Sequence, residues 1–317
     1  MERKFKSILC ALLCLALAFS LSACKKAEQP VLQVAALKGP TGLGLSKLMT
    51  DAEDNFEITL YDAPDAVTGK FISGEIDIAA VPINLASVLY SKTQGQAVMI
   101  AVNTLGVLYI LENGETVGSL SDLAGRTLYA TGQGSTPEYV LNRLLAENGL
   151  TDSVTVEYVG EHAALAAMMA SGEAELAMLP EPNVSAVLLK NEKVRIALDL
   201  TEAWETAFDT TLVQGCYIVQ KSVLDEHPEA VSAFVEAAGK SAEYMLTADD
   251  AAKIAAEQGV VASEQIAAKA MQNCNLVCIA GEEMQRIASA MLSALFEANP
   301  KSVGGALPDD AFYAALS

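Results

Sequence analysis

The chain has 317 residues, of which 52% are hydrophobic, and 40 Asp and Glu against 20 Lys and Arg give it a formal charge of −20 at pH 7. This charge argues against a nucleic-acid partner, because clustered Lys and Arg supply most of the non-specific affinity for phosphates. The acidity instead predicts a soluble surface, and the length predicts two domains of ordinary size rather than one small core.

The N-terminal segment has the layout of a secretory signal peptide. Cations near the start precede an apolar run, Ile8–Phe19, which is too short to span a bilayer because a spanning helix needs about 20 residues. Leu21–Cys24 resembles the lipobox of bacterial lipoproteins, and this resemblance implies cleavage before Cys24 and lipidation of its thiol. We therefore expect residues 1–23 to be removed and residues 24–30 to form a short lipidated tether.

After the tether, strand and helix patterns alternate in two successive units. Each unit is predicted to run strand, glycine loop, helix, strand, loop, helix and strand. The predicted strands include 32–36, 58–61, 126–130 and 154–159, and the predicted helices end at Met49 or cover 66–72, 137–148 and 163–170.

Two ten-residue stretches, starting at Ser73 and Ser171, are identical at five positions. Each runs from Ser-Gly-Glu to a proline, which is Pro82 in the first copy and Pro180 in the second. A duplicated unit predicts two similar lobes with a cleft between them, and specificity is predicted to lie just past the repeat, where the copies diverge. The acidic residues of the two copies are predicted to be structural rather than catalytic: Glu75, Asp77, Glu173 and Glu175.

The alternation of strand and helix predicts an α/β fold with parallel sheets covered by helices. Ligands collect outside the carboxyl ends of the strands in such sheets, so the loops that follow the strands of both lobes are predicted to line one cleft. The glycine loops 39–42 and 132–136 each precede a helix, whose first N–H groups bind carbonyl oxygens or anions. The candidate ligand-binding residues are Lys38, Gly39, Pro40, Thr41, Asp62, Pro82, Asn84, Asn103, Gly134, Ser135, Thr136, Glu161, Glu181 and Pro182.

The chain is predicted to cross between the lobes twice. Residues 194–200 are predicted to form the last strand of the second lobe, 201–210 a polar connecting stretch, and 212–220 a strand that pairs antiparallel with 107–111. The tail from residue 228 is predicted to be helical and to fold back onto the first lobe. The predicted division is lobe I, 31–111 plus 212–317, and lobe II, 112–211, which includes the return crossing.

Sparse cysteine and histidine argue against metal or nucleophilic chemistry. Cys216, Cys274 and Cys278 remain once the lipidated cysteine is set aside, an odd number without disulfide-framework spacing. No second thiol pair or nearby histidine completes a zinc shell, so small buried hydrophobes are favoured. His162 and His227 are the only histidines, and no Ser/His/Asp set can be assembled from them. We predict no catalytic residue, metal or cofactor.

The lipobox, the two lobes and the segments Gly74–Ala79, Asp122–Arg126 and Glu181–Pro182 together resemble bacterial ABC-importer substrate-binding proteins. More narrowly, nearly all of residues 30–317 is similar to the group for nitrate, sulfonate, taurine or thiamine-precursor pyrimidines. The tail, Asn299–Tyr313, resembles that of a subset of Gram-positive lipoproteins of this kind. The resemblance implies a two-lobed, type II periplasmic-binding-protein-like α/β fold, in which each lobe is a mostly parallel sheet flanked by helices and the ligand cleft lies between the lobes.

The resemblance also implies a mechanism. A small solute is captured by hinge closure and is delivered to an ABC permease driven by a cytoplasmic ATPase. The solute shifts the protein towards the closed state only by as much as it prefers that state over the open one. We expect a monomer, exported and held at the outer face of the cytoplasmic membrane by the lipid on Cys24. The alternatives are an enzyme on the same fold that makes a pyrimidine or menaquinone precursor, against which export argues, and a ligand-sensing protein without transport.

The charges of the cleft candidates favour a neutral or amine-bearing ligand, because an unpaired buried charge is costly. Lys38 and His162 are the cations, and Asp62, Asp65, Glu161 and Glu181 are carboxylates. We expect a nitrogen heterocycle, such as a thiamine-precursor pyrimidine, or a sulfonate or taurine-like compound rather than a simple inorganic anion. The aromatic candidates for stacking, each individually favoured as a core or surface residue instead, are Tyr61, Tyr158, Trp204 and Tyr217.

Overall fold

The computed structural model describes residues 30–51 and 55–316 of the chain. The predicted signal peptide, the lipidated Cys24 and the tether up to residue 29 lie outside the described residues. Among the described helices, none combines the length and the apolar character that crossing a membrane requires.

Strands and helices alternate in both predicted units. The strands of the described residues are β1 (Leu32–Leu37), β2 (Phe56–Tyr61), β3 (Ile78–Pro82), β4 (Ala97–Leu105), β5 (Leu108–Asn113), β6 (Thr127–Ala130), β7 (Thr155–Tyr158), β8 (Leu176–Pro180), β9 (Val194–Asp199), β10 (Val213–Gln220) and β11 (Leu276–Ile279). The helices are α1 (Pro40–Leu43), α2 (Ser46–Thr50), α3 (Pro64–Ile72), α4 (Ile83–Lys92), α5 (Thr136–Glu147), α6 (His162–Ser171), α7 (Asn183–Lys190), α8 (Leu200–Phe208), α9 (Lys221–Glu226), α10 (Pro228–Thr247), α11 (Ala251–Glu257), α12 (Glu264–Ala270) and α13 (Gly281–Ala298).

The strands form two mixed sheets flanked by helices. The first sheet has the order β11-β4-β10-β3-β1-β2 and the second the order β7-β6-β8-β5-β9. The triplets β2-β1-β3 and β7-β6-β8 are parallel in both sheets, and four strands of each sheet run in one direction. The predicted α/β fold with two mostly parallel sheets is confirmed.

The two copies of the repeat fold alike. In each, a helix ends at a left-handed glycine, Gly74 with φ 77° or Gly172 with φ 82°, and the chain then enters a buried strand. The N–H groups of Glu75 and Glu173 both donate to a helix carbonyl five residues earlier, at 2.9 Å. Each strand is apolar on both faces because it is covered on both sides.

The chain crosses between the two sheets twice. After each crossing it continues into an antiparallel strand that lies between two strands of the sheet it enters. After Gly106 and Val107 the chain enters β5, which pairs with β8 and β9 of the second sheet. On the return, β10 pairs with β3 and β4 of the first sheet. The predicted pairing of 107–111 with 212–220 is therefore wrong. Strands β5 and β10 are each buried on both faces. Strand β5 is buried inside the second sheet and β10 inside the first. The exact lobe boundaries stay a prediction.

The predicted polar connecting stretch at 201–210 is also wrong, because most of it is helix α8. The Asp199 side chain caps this helix by accepting from the N–H of Thr201 at 2.7 Å. Leu200 and Trp204, one turn apart, are fully buried, and the Trp204 ring lies 4.5 Å from that of Phe208. The polar residues of the stretch occupy the other face, so the composition concealed an amphipathic helix.

The tail is helical, as predicted, and packs mainly on the first sheet. Strand β11 extends that sheet beside β4, and the N–H of Ala314 donates to the carbonyl of Met99 at 2.9 Å. The tail also contacts the second half, since Arg143 lies 3.5 Å from Glu297. It therefore bridges the two halves as well as covering one.

Candidate ligand-binding cleft

The carboxyl edges of the two sheets face each other, and a direct contact joins them. Asn84 lies in the first turn of α4, after β3, and Thr136 opens α5, after β6. The Oδ1 atom of Asn84 accepts from the backbone N–H of Thr136 at 3.1 Å and from its hydroxyl at 3.0 Å. Both residues are buried. Segments of both units thus meet at this contact.

A second approach brings the loop after β1 to the loop after β8. A Cβ atom built on Gly39 would lie 3.9 Å from Cδ of Pro182, which follows Glu181 through a cis peptide bond. Gly39 has φ 96°, a conformation that side chains disfavour, and its N–H donates to the carbonyl of Val260 at 3.2 Å. Pro40 then starts α1 with its fixed backbone angle.

Thr41 and Asn103 both lie close to Gly215, near the start of β10. A Cβ atom at Gly215 would lie 2.6 Å from Cγ2 of Thr41 and 2.7 Å from Oδ1 of Asn103, so only glycine permits this approach. Asn103 is 2% exposed, and its Nδ2 has no hydrogen-bond partner among the described residues. Its Oδ1 accepts from the hydroxyl of Thr104 at 2.9 Å. Burial raises the pKa of the adjacent Tyr217, whose hydroxyl the Asn103 amide approaches without meeting hydrogen-bond geometry.

The Glu181 carboxyl is fully buried and turned back onto α7. Its Oε2 accepts from the N–H of Ser185 at 3.0 Å, and its Oε1 accepts from the Ser185 hydroxyl at 2.9 Å. Nδ2 of Asn273, in the tail, donates to Oε1 at 3.4 Å. Burial raises the pKa of Glu181 despite these bonds, because desolvation penalises the charged form more than the donors stabilise it.

The glycine loop of the second half is stabilised internally. Gly134 has φ 77°, and its N–H donates to the Glu138 carboxylate at 2.5 Å. The Ser135 hydroxyl donates to the carbonyl of Gly132 at 2.9 Å. In the neighbouring loop, Nδ1 of His162 lies 2.7 Å from the hydroxyl of the buried Thr131, and burial lowers the pKa of this histidine.

The charged candidates on exposed loops do not join these contacts. Lys38 and Asp62 form an ion pair at 2.7 Å, with the Asp62 side chain 84% exposed. Glu161 is exposed as well. The positive charge of Lys38 is thus paired at the surface with a carboxylate from the same half.

The aromatic candidates divide between core and partly buried positions. Trp204 and Tyr217 are fully buried, the latter in edge contact with Phe234 at 5.3 Å. Tyr158 ends β7, and its buried hydroxyl has no partner among the described residues; burial raises its pKa. Tyr61 lines a cavity of about 340 Å³ formed by the first half alone.

Three contributors to the site region were not among the predicted residues. Gly215 carried a usable signal, since a glycine inside an apolar strand often marks a close approach. Gln214 is 8% exposed, with Oε1 unpaired among the described residues, and Asn273 arrives from the distant tail. Neither of these two belongs to the repeat, so no local pattern marked them. The described residues contain no group of three or more His, Cys, Asp or Glu side chains able to hold a metal ion.

Comparisons with known proteins agree with this architecture. A family model described as NMT1/THI5 like matches residues 86–252. A crystal structure of an ABC transporter from Parabacteroides distasonis superposes with a TM-score of 0.77, at 22% identity over 91% of this chain and 100% of that one. The periplasmic aliphatic sulphonate-binding protein SsuA from Escherichia coli gives 0.74, at 16% identity over 92% and 94%.

The periplasmic nitrate-binding protein NrtA from Synechocystis PCC 6803 superposes with a TM-score of 0.55, at 14% identity over 72% of this chain and 66% of that one. A sequence search of curated proteins finds no match. Together the structural matches confirm the predicted periplasmic-binding-protein fold.

Proposed function

The chain belongs to the NMT1/THI5-like family, and from that premise we propose that it is the solute-binding component of an ABC import system. It holds a small organic solute between the facing carboxyl edges of its two sheets. The observation that carries the proposal is the contact of Asn84 with Thr136, which places the ligand-prone ends of two similar sheets opposite each other. The likeness in fold to sulphonate- and nitrate-binding proteins supports it.

The residues at this junction suggest how a solute is held. Gly39 from the first half and Pro182 from the second approach each other, and Pro40, Thr41 and Glu181 flank them in the chain. Asn103 offers an amide donor that is buried and unpaired among the described residues, an arrangement that costs about 1–3 kcal/mol unless a partner is supplied. A solute acceptor atom is that partner. Gly134 and Ser135 line the site from the second half, and Pro82 lies at the end of β3 in the first half.

The charge balance favours a solute without a large net charge. Lys38 is already paired with Asp62, and the Glu181 carboxyl already accepts hydrogen bonds from Ser185 and Asn273. A hydrogen-bond donor remains at the Asn103 amide, whereas the N–H groups of Gly134 and Thr136 already donate to Glu138 and Asn84. We therefore propose a compound with acceptor atoms on a small organic frame, namely a nitrogen heterocycle such as a thiamine-precursor pyrimidine, or a sulfonate or taurine-like compound. Lys38, Asp62 and Glu161 then act from the edge of the site.

We also propose that the protein is exported and anchored by a lipid on Cys24, without catalytic activity. The signal peptide layout and the lipobox motivate this assignment. A membrane permease with a cytoplasmic ATPase is then the protein partner. The acidic surface supplies carboxylates for cationic loops of the permease, so neutralising exposed acidic patches is expected to reduce uptake.

A thermal-shift panel tests the proposal directly. Pyrimidines, sulfonates, amino acids and inorganic anions are added separately to the purified protein. A cognate solute at 100 times its dissociation constant is expected to stabilise the fold by about 2.7 kcal/mol. Asn103→Leu, which removes the donor at similar volume, should abolish the shift. Asn113→Leu is the matched control, because Asn113 ends β5 at the opposite edge of the second sheet.

The proposal fails if no compound in the panel produces a saturable shift, or if Asn103→Leu and Asn113→Leu weaken the shift equally. Chemical conversion of a stabilising pyrimidine during incubation would instead favour an enzyme on the same fold. Saturable binding without uptake in cells that express a candidate permease and its ATPase would favour a sensing role.

A further inference from the structure

The C-terminal segment of residues 299–316, here called the strap, lies along one face of α4. The side chains of Asn84, Ser87 and Ser91 share that face at helical spacing. They donate to the carbonyl oxygens of residues 302, 303 and 304 in turn, at 3.4, 2.8 and 3.4 Å. Three successive carbonyls of the strap are therefore matched to three successive donors of the helix.

The strap is held tightly enough to impose this register. Gly304 has φ 90°, and a Cβ atom there would lie 3.1 Å from Cβ of Ser91 and 3.2 Å from Cα of Val88. Further along, Phe312 is fully buried, in edge contact with Tyr90 at 5.1 Å. The position of the strap on α4 thus depends on glycine at one end and on aromatic packing at the other.

Asn84 connects the strap to the other half of the molecule. Its Nδ2 donates to the carbonyl of Ser302, and its Oδ1 accepts from the N–H and the hydroxyl of Thr136. A carboxamide has donors at one end and acceptors at the other. In a flipped Asn84, the NH2 group would face the N–H of Thr136, and the side-chain oxygen would face the carbonyl oxygen of Ser302. The strap carbonyl therefore supports the same orientation of Asn84 that the bonds to Thr136 require.

The tail supplies a second contact on the same helix. Arg143 follows Thr136 by seven residues on α5, which places it about 10.5 Å further along the same face. Its guanidinium lies 3.5 Å from Glu297, at the end of α13, and 4.7 Å from the centre of the Phe208 ring. Thr136 and Arg143 of α5 are thus both linked to the tail, Thr136 through Asn84 and Arg143 through Glu297.

We infer that the strap is a positioning element for lobe closure: it orients Asn84 so that the two halves join through Thr136. Asn84 is then a positioning residue, and its polar atoms are committed to the strap and to α5 rather than to a solute. Only one part of the inference rests on the proposed function, namely that the contact through Thr136 serves lobe closure. The coupling between strap and Thr136 is a property of the protein without any solute.

Hydrogen exchange of the Thr136 amide, followed by NMR on the purified protein without added ligand, tests this coupling. Asn84→Ala removes the acceptor and should speed exchange about tenfold. Gly304→Ala should speed it severalfold, although residue 304 does not touch Thr136. The matched control is Gly305→Ala, because Gly305 has nearly the same φ, 94°, with no atom within 4 Å of a built Cβ. Its exchange should stay within about twofold of the wild type.

A rescue separates orientation from general destabilisation. Asn84→Asp presents acceptor oxygens to Thr136 in either orientation, so adding Gly304→Ala to this variant should leave the exchange of Thr136 unchanged. If Gly304→Ala fails to fold, Ser87→Ala replaces it, since it removes only the bond to the carbonyl of Val303.

The inference is overturned if Gly304→Ala and Gly305→Ala have equal effects, or if Asn84→Asp does not suppress the effect of the strap variant. Fast exchange of Thr136 in the wild type would also overturn it. Absence of a thermal shift with every solute would count against the proposed function alone, because none of these exchange measurements uses a solute.

Discussion

The two halves of the molecule follow one plan up to a proline and then differ. Pro82 ends β3 opposite Gly215 of the inserted strand β10, and Pro180 ends β8 opposite Leu108 of the inserted strand β5. Beyond the proline, the first half starts its helix at once and sends the Asn84 side chain across to the second half. The second half adds Glu181 and Pro182 before its helix and turns the carboxyl of Glu181 inward.

This difference shows how a duplicated scaffold acquires two roles. The shared residues build a buried strand and its turn, which tolerate little change because both faces are covered. The segments beyond the prolines are also buried, at Asn84 and at Glu181, but their partners differ between the halves. One loop therefore makes a contact between the halves, and the other holds a buried titratable group.

The largest expected effect compares the glycine loops of the two halves. A Cβ atom at Gly42 would lie 2.3 Å from the carbonyl oxygen of Leu37, whereas Gly134 has no atom within 4 Å. Gly42→Ala should lower the free energy of unfolding by about 3 kcal/mol, because backbone must move. Gly134→Ala should cost only about 1 kcal/mol, from its left-handed conformation. Urea unfolding at pH 7 measures both, and equal losses would show that the loops are packed alike.

His162 belongs to the second half, and its variant should have a pH-dependent effect. Burial lowers its pKa below 6.5, so its contribution to stability is present above pH 6.5 and is lost as the pH falls through the lowered value. His162→Leu should cost about 1 kcal/mol at pH 8, where the bond to Thr131 is lost, and less at pH 5. Thermal melts across this range test the trend. A deficit that grows towards low pH would contradict it.

Glu181 should show the opposite trend. Its raised pKa means that the folded state binds the proton more tightly, so the stabilisation is complete below about pH 4.5 and is lost as the pH rises through the raised value. Glu181→Gln should flatten the fall in unfolding free energy between pH 5 and pH 8, because the amide does not titrate. Glu161→Gln, on an exposed loop, is the control. Parallel pH profiles for Glu181→Gln and the wild type would refute the prediction.

The smallest effect is expected at the surface pair of the first half. Lys38→Ala should change the free energy of unfolding by less than about 0.5 kcal/mol, because exposed ion pairs contribute little. Denaturant unfolding at low and high salt measures it. A loss above 1 kcal/mol would indicate a structural role for Lys38 and Asp62 that their exposure does not suggest.

Much of the fold was predictable because its signals are local. Alternating apolar strands, glycine turns and alanine-rich helices indicated both units, and the repeat aligned them. The partners of β5 and β10 were not predictable in the same way, since an apolar strand that is buried on both faces fits equally well into either sheet. Helix α8 was missed because its polar face dominates the composition of 201–210.

The candidate site was predictable as a set of loops but not as a set of contacts. Strand ends identified Asn84 and Thr136 independently, yet no sequence pattern stated that their side chains meet. Asn273 contacts Glu181 from a position 92 residues later, which no spacing rule connects. The ion pair of Lys38 with Asp62 depends on the parallel pairing of β1 and β2, which aligns Leu37 with Tyr61.

The sequence by itself determined the repeated strand and helix plan, the glycine turns and the apolar strands, because each depends on the preferences of neighbouring residues. Only the tertiary structure decided which strand enters which sheet, that the strap lies on α4, and that Asn84 and Thr136 join the halves. These outcomes depend on packing between segments far apart in the chain, where many pairings satisfy the same burial and only geometry selects among them.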